Sequence, residues 1–131
     1  MPSPTEVVQT MYAAYGAGNM DALKDTLSEN IKWIYHGPDA IKHADTYSGK
    51  AGVMKFFDNV NEHVEYLDFQ PNQFIAQGNM VIVLGNEKQK ILKNGEILEQ
   101  GWVQIYTVNS DLIDKMEEFS DTAHAEKVHI K

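Results

Sequence analysis

A chain of 131 residues, 43% hydrophobic and 23% charged, has the size and composition of one globular domain, so a single domain over 1–131 is expected. A formal net charge of −8 with lysines scattered singly argues against a nucleic-acid partner. The absence of cysteine excludes disulfides and thiolate chemistry. No apolar run approaches the roughly 18 residues of a membrane span, and MPSPTEVVQTMY lacks a secretory pattern, which together predict a soluble cytoplasmic protein without a membrane partner.

Pro4-Thr5-Glu6 opens a helix that Thr5 or Ser3 can cap. Val7, Val8, Met11, Tyr12 and Tyr15 recur on one face of it, and Gly16 and Gly18 end it. Asn19 caps a short second helix from Met20 to Leu27. Ile31 to Tyr35 (IKWIY) is β-branched and aromatic, hence a strand that includes Trp33. The polar stretch from His36 to Ser48 reads as loop. Gly49 starts a third helix, with Val53, Met54, Phe56, Phe57 and Val60 spaced for burial. Glu62 to Phe69 is mixed, and Phe74 to Gln77 is a strand.

Met80 to Leu92 and the stretch after Asn94-Gly95 form a hairpin. That dipeptide favours a two-residue type I′ turn. Such a turn sets Lys90 opposite Glu99 and Ile91 opposite Leu98. It sets Glu87 opposite Trp102, Gly85 opposite Gln104 and Val83 opposite Tyr106, six residues on one face. The other face is also apolar, so a partner subunit is expected over it. Asn109-Ser110-Asp111 turns the chain into a last strand, Leu112 to Asp121. A three-residue loop places Glu118 opposite Trp102. A two-residue loop places Glu117 opposite Gln104 and brings Asp121 inward, and a bulge allows both Glu118 and Asp121 to face in. Thr122 to Lys131 reads as a short helical turn.

Two helices, a strand, a helix and then long antiparallel strands predict an α+β fold: a cone-shaped curved antiparallel sheet packed against N-terminal helices, with a pocket inside the cone. The carrying stretches are VVQTMYAAYGAGNMDALKDTL, IKWIYHGP, TYSGKAGVMKFFDNV, MVIVLGNEK, GWVQIYTV and EEFSDTA. In their order and spacing the chain resembles the nuclear transport factor 2-like superfamily, in its ketosteroid isomerase-like and SnoaL-like branch. The resemblance implies a cone with a hydrophobic pocket and a homodimer formed through the sheet. It spans isomerases, cyclases and hydrolases as well as non-catalytic binders, so fold alone does not set function.

Ketosteroid isomerases carry a proton-abstracting carboxylate at the end of the first strand, and here that position falls on Tyr35 or His36. Their protonated oxyanion-hole acid falls at or near Gln104, and their oxyanion tyrosine near Met11, with Tyr12 and Tyr15 close by. Genuine ketosteroid isomerase activity is therefore not expected. SnoaL-like enzymes place a base late on the last strand, a position that Asp121 resembles.

The expected chemistry is proton transfer to or from, or water addition to, a small, mostly apolar or amphipathic molecule. Asp121 or Glu118 would be the base, and His36 or Tyr35 the acid. Tyr12, Tyr15, Trp33, Glu87, Trp102, Gln104, Tyr106 and Met116 would line the pocket. The alternative is a non-catalytic small-molecule binder or a dimeric scaffold of the same fold. His36, Asp39, His43 and Asp45 fit no metal-ligand spacing, so neither metal nor cofactor is expected.

Overall fold

The computed structural model describes residues 2–131. The elements run α1 (Pro4–Gly16), α2 (Met20–Lys24), β1 (Leu27–Tyr35), β2 (Asp45–Ser48), α3 (Gly49–His63), β3 (Val64–Gln77), β4 (Met80–Ile91), β5 (Ile97–Asn109), β6 (Leu112–Ser120) and α4 (Thr122–His129). The strands form one open sheet in the order β2-β1-β6-β5-β4-β3, antiparallel except for the parallel β1–β6 pair. Helix α1 packs across β3 to β6, while α3 touches β1 and β2 near one edge and β3 at the other. A sheet whose two edges reach the same helix is curled around it, which is the α+β cone expected from the element order. Among the described residues, no helix is long and apolar enough to cross a membrane.

Local chemistry sets the helix ends. Ser3 rather than Thr5 caps α1, in a reciprocal capping box: Ser3 Oγ accepts from Glu6 N at 3.1 Å and Glu6 Oε1 accepts from Ser3 N at 3.0 Å. Asn19 caps α2 through Ala22 N at 3.1 Å. That helix stops at Lys24, three residues earlier than its apolar spacing suggests. The Thr26 carbonyl accepts from Ile113 N at 2.8 Å, which draws Leu27 into the sheet beside β6.

The segment split in sequence around Pro71 is one strand. β3 is an edge strand, where a residue without an N–H costs no ladder bond on its free side, and its pairing shifts at Tyr66/Asp68 and again at Pro71/Gln73. Asp45–Ser48, expected as loop, adds β2 to the opposite edge.

Both hairpin registers differ from expectation. The β4–β5 connection is a four-residue loop, Leu92 to Gly95, closed by Ile91 N donating to Glu96 O at 2.8 Å. Gly95 alone in it has positive φ, whereas a type I′ turn needs Asn94 there as well. Asn94 is held elsewhere. Its Oδ1 accepts from Glu96 N at 2.9 Å, and its Nδ2 lies 3.0, 3.4 and 3.2 Å from the carbonyls of Val128, His129 and Lys131. The side chain thus ties the end of α4 to the hairpin.

The register moves by two residues. Gly85 faces Trp102, Val83 faces Gln104, Val81 faces Tyr106, and Lys88 rather than Lys90 faces Glu99. A two-residue slip leaves every side chain on its expected face. The new pairing explains Gly85: a Cβ there would lie 2.2 Å from Trp102 Cζ2 and 2.5 Å from Gln70 O. The Trp102 indole lies across the bare glycine and stacks on Phe69 at 4.9 Å and 13°.

At the β5–β6 turn, Ser110 and Asp111 both have positive φ, a two-residue connection. Pairing then shifts between Thr107 and Val108, which leaves Asp114 as an extra residue opposite them. Asn109 Nδ2 donates to Asp114 Oδ2 at 2.7 Å. The bulge reverses the facing of everything after it, so Glu118, not Glu117, sits opposite Gln104.

Candidate functional site

Inside the cone, Met11, Tyr12 and Tyr15 from α1, Trp33 from β1, Phe56 and Phe57 from α3, and Tyr66 from β3 surround a narrow cavity. Its polar side is made by Gln104, Tyr106 and Glu118. It offers ≈ 30 Å³ of space for water. A single water needs roughly 10–15 Å³, so the space fits two or three. Rings pack closely around it: Trp33 lies 5.8 Å from Phe57, Tyr15 5.3 Å from Phe57, and Tyr12 6.0 Å from Tyr106.

Gln104 organises the polar side. Its Nε2 donates to Glu118 Oε1 at 2.6 Å. Its Oε1 accepts from Tyr106 OH at 2.6 Å and also from Tyr12 OH. Tyr106 OH is 3.2 Å from Tyr12 OH, close enough to donate there instead. Two phenols therefore converge on one carbonyl oxygen, beside a carboxyl held by the same amide. Two polar atoms of cavity-lining residues have no protein partner, the acceptor Glu118 Oε2 and the donor Trp33 Nε1.

Burial dominates the titration of these groups. The Glu118 carboxyl is pushed up to about 8 by loss of solvation and then by the charge of Glu87, against the pull of Gln104 and Tyr35. The Tyr35 hydroxyl stands beside Glu118 and Gln89, and burial first, then the Glu118 and Glu87 charges, raise it well above the usual phenol range. Tyr12 and Tyr106 are raised by burial as well. All three phenols therefore act as neutral donors.

Glu87 is buried rather than on a wet rim. Its Oε2 accepts from Gln89 Nε2 at 2.8 Å and Gln100 Nε2 at 2.6 Å. Burial raises it to about 7 against those two bonds. It borders a separate groove of ≈ 430 Å³ lined also by Asp68, Asn86, Lys88, Glu99, Gln100 and Gly101. The charge of Glu87 is felt at Glu118 and helps to raise it.

The residues singled out in the sequence divide into three groups. Tyr12, Tyr15, Trp33, Gln104, Tyr106 and Glu118 surround the inner cavity, with Tyr35 against Glu118. Glu87, Trp102 and Met116 are buried on the same side of the sheet but do not border that cavity. His36 and Asp121 lie outside it. His36 stacks on Phe119 at 4.6 Å and bonds Glu117 at 2.6 Å. Asp121 is exposed and caps α4, accepting from His124 N at 3.1 Å. Among the described residues no group of three His, Asp or Glu is placed to hold a metal ion.

Sequence reasoning missed Tyr66, because the Glu62–Phe69 stretch lacked a period. It also missed Gln89 and Gln100. Gln89 lies two residues beyond Glu87 and so shares its face, a signal that strand alternation alone contained.

A curled open sheet closed on its concave side by α1 and α3, with a polar cluster under the helices, defines an NTF2-like fold. The chain belongs to the SnoaL-like domain family, which matches residues 8–116. It is similar to an NTF2-like protein from Burkholderia xenovorans LB400, with 27% identity over 96% of this chain and 95% of that one and a TM-score of 0.88. It also superposes on TerC, co-crystallized with polyporic acid, with 20% identity over 98% of both chains and a TM-score of 0.87. A candidate polyketide cyclase from Pseudomonas putida KT2440 shows 19% identity over 98% of both chains and a TM-score of 0.77. No curated protein matches the chain.

Proposed function

We propose that this protein binds a small, planar, mostly apolar carbonyl or phenolic compound in the cone, with Glu118 as the proton-transferring group. The observation that carries the reading is the pairing of Glu118 with a two-phenol cradle. Glu118 Oε2 is free to take a proton from carbon adjacent to a carbonyl. The electron pair released moves onto that carbonyl oxygen, which takes the place of Gln104 Oε1 as acceptor for Tyr12 and Tyr106. Returning the proton to another carbon completes an isomerisation, and transfer within a folded chain would assist a cyclisation. A carboxyl that titrates near neutrality suits both directions of transfer. The cavity as it stands has room for water only, so a ligand would enter by turning the half-buried Tyr15 and Phe57 aside.

The test uses 2-naphthol, whose phenol oxygen mimics an enol, and solvent-deuterium exchange into 2-tetralone. Naphthol should quench Trp33 fluorescence in the parent and in Glu118→Gln. Exchange should fall about 100-fold or more in Glu118→Gln, the usual size of a lost acid–base group. Asp121→Asn should exchange at the parent rate. Loss of exchange in Asp121→Asn with retention in Glu118→Gln would reverse the assignment. Naphthol binding without exchange in any variant would favour a non-catalytic binder.

We also infer a homodimer through the outer face of the sheet. Ile34, Ile82, Leu84, Val103 and Ile105 are only partly covered there, and Ile75 and Phe119 are exposed. Light scattering should give twice the 14.8 kDa chain mass for the parent and the single-chain mass for Ile105→Lys. A monomeric parent at micromolar concentration would refute it.

A further inference from the structure

Three of the five histidines, His43, His63 and His129, gather together, with His43 packed on Tyr35 at 4.7 Å. A pocket of ≈ 200 Å³ lies there, lined by Ala40, Lys42, His63, Ile91, Lys93 and His129. It is formed by the loop before β2, the end of α3, the β4–β5 turn and α4. Every titratable side chain that lines it is basic, on a chain whose net charge is −8. Neither Lys42 nor Lys93 makes an ion pair among the described residues.

The groups face one another closely enough to repel. The charges of Lys93 and His63 depress His129, after burial, and those of His129 and His63 depress the neighbouring His43. His43 is fully buried, with its ring 6.3 Å from that of His129, and neither ring nitrogen has a protein partner. Carbonyls near the pocket are already bonded. The Asn59 carbonyl takes His63 Nδ1–H at 2.8 Å, and Asn94 covers the last carbonyls of α4. Ala40 and Ile91 supply an apolar wall.

We propose that this pocket binds a small organic anion, a carboxylate with a short apolar body, between Lys42, Lys93, His63 and His129. The anion pairs with the exposed Lys42 and Lys93 ammoniums and seats its apolar part against Ile91. A proton on His129, whose uptake burial and the Lys93 charge hold to lower pH, adds to the attraction, so affinity grows as pH falls. The site is separate from the cone, and the proposal does not depend on any activity there.

The experiment is a titration with benzoate at low ionic strength, followed by the imidazole NMR signals of His63 and His129. Saturable shifts at both histidines are expected at pH 6. The double variant Lys42→Gln/Lys93→Gln should weaken binding by about fivefold or more, as loss of two exposed ion pairs would. A charge-matched control, Lys32→Gln/Lys115→Gln, should bind as the parent does. Absent or unsaturable shifts, or equal weakening in the control, would overturn the site. Inorganic phosphate binding as tightly as benzoate would overturn the assignment to an organic anion. Glu118→Gln should leave the titration unchanged, which separates this result from that of the cone.

Discussion

The two buried carboxyls dictate how stability responds to pH. A carboxyl whose folded pKa is raised favours the folded state while it holds its proton. That advantage is complete below the unfolded pKa and is lost as pH climbs towards the folded value. For Glu118 the window runs from the ordinary 4.5 up to about 8, and for Glu87 up to about 7. His43 works in the opposite direction. Burial lowers it to about 3, so the folded state disfavours its proton, and stability rises with pH up to 6.5. His129 is lowered too and adds in the same sense.

Between pH 4.5 and 6.5 the gain from His43, with that from His129, opposes the loss from the two carboxyls. Above pH 6.5 only the carboxyls remain. At about 1.4 kcal/mol per pH unit, Glu118 contributes about 2 kcal/mol of loss by pH 8 and Glu87 somewhat under 1 kcal/mol. Urea unfolding at constant ionic strength should therefore show a fall of about 2–3 kcal/mol between pH 6.5 and pH 8. In Glu118→Gln the fall should shrink to under about 1 kcal/mol, because one titration has been removed. A parent as stable at pH 8 as at pH 6.5, or a variant that loses as much as the parent, would show that Glu118 is not held protonated by its burial.

Two further substitutions probe what positions the site. Gly85→Ala places a methyl within 2.2 Å of the Trp102 ring, so the indole must leave its stack on Phe69. A loss of about 1–3 kcal/mol in urea unfolding and a red-shifted tryptophan emission are expected, and an unchanged spectrum would contradict the packing. Asn94→Ala removes the contacts that hold the end of α4, and amide exchange should quicken over Thr122–His129 with a stability loss of about 1 kcal/mol. Unaltered exchange in α4 would mean that Ala125 and Val128 anchor the helix without it.

The sequence by itself determined the order of the helices, the first strand and the last three strands, the starts of the helices and the face on which each strand residue of the first hairpin lies. These follow from local rules: Ser3 and Asn19 cap whatever helix follows them, and alternation assigns Trp102, Gln104 and Tyr106 to one side. Even the wrong hairpin register preserved the facing, since the slip was even. Tertiary structure decided the rest. Asn94-Gly95 has the composition of a tight turn, but carbonyls more than thirty residues away recruit Asn94 and lengthen the loop. Asp114 inserts one residue opposite Thr107 and Val108, and an odd slip does change facing, so Glu118 comes into the cone while Asp121 is left to cap α4. How far the aromatic rings of α1, α3 and β3 fill the cavity depends on packing between segments far apart in the chain. No periodicity reports that, and it sets the room available for a ligand.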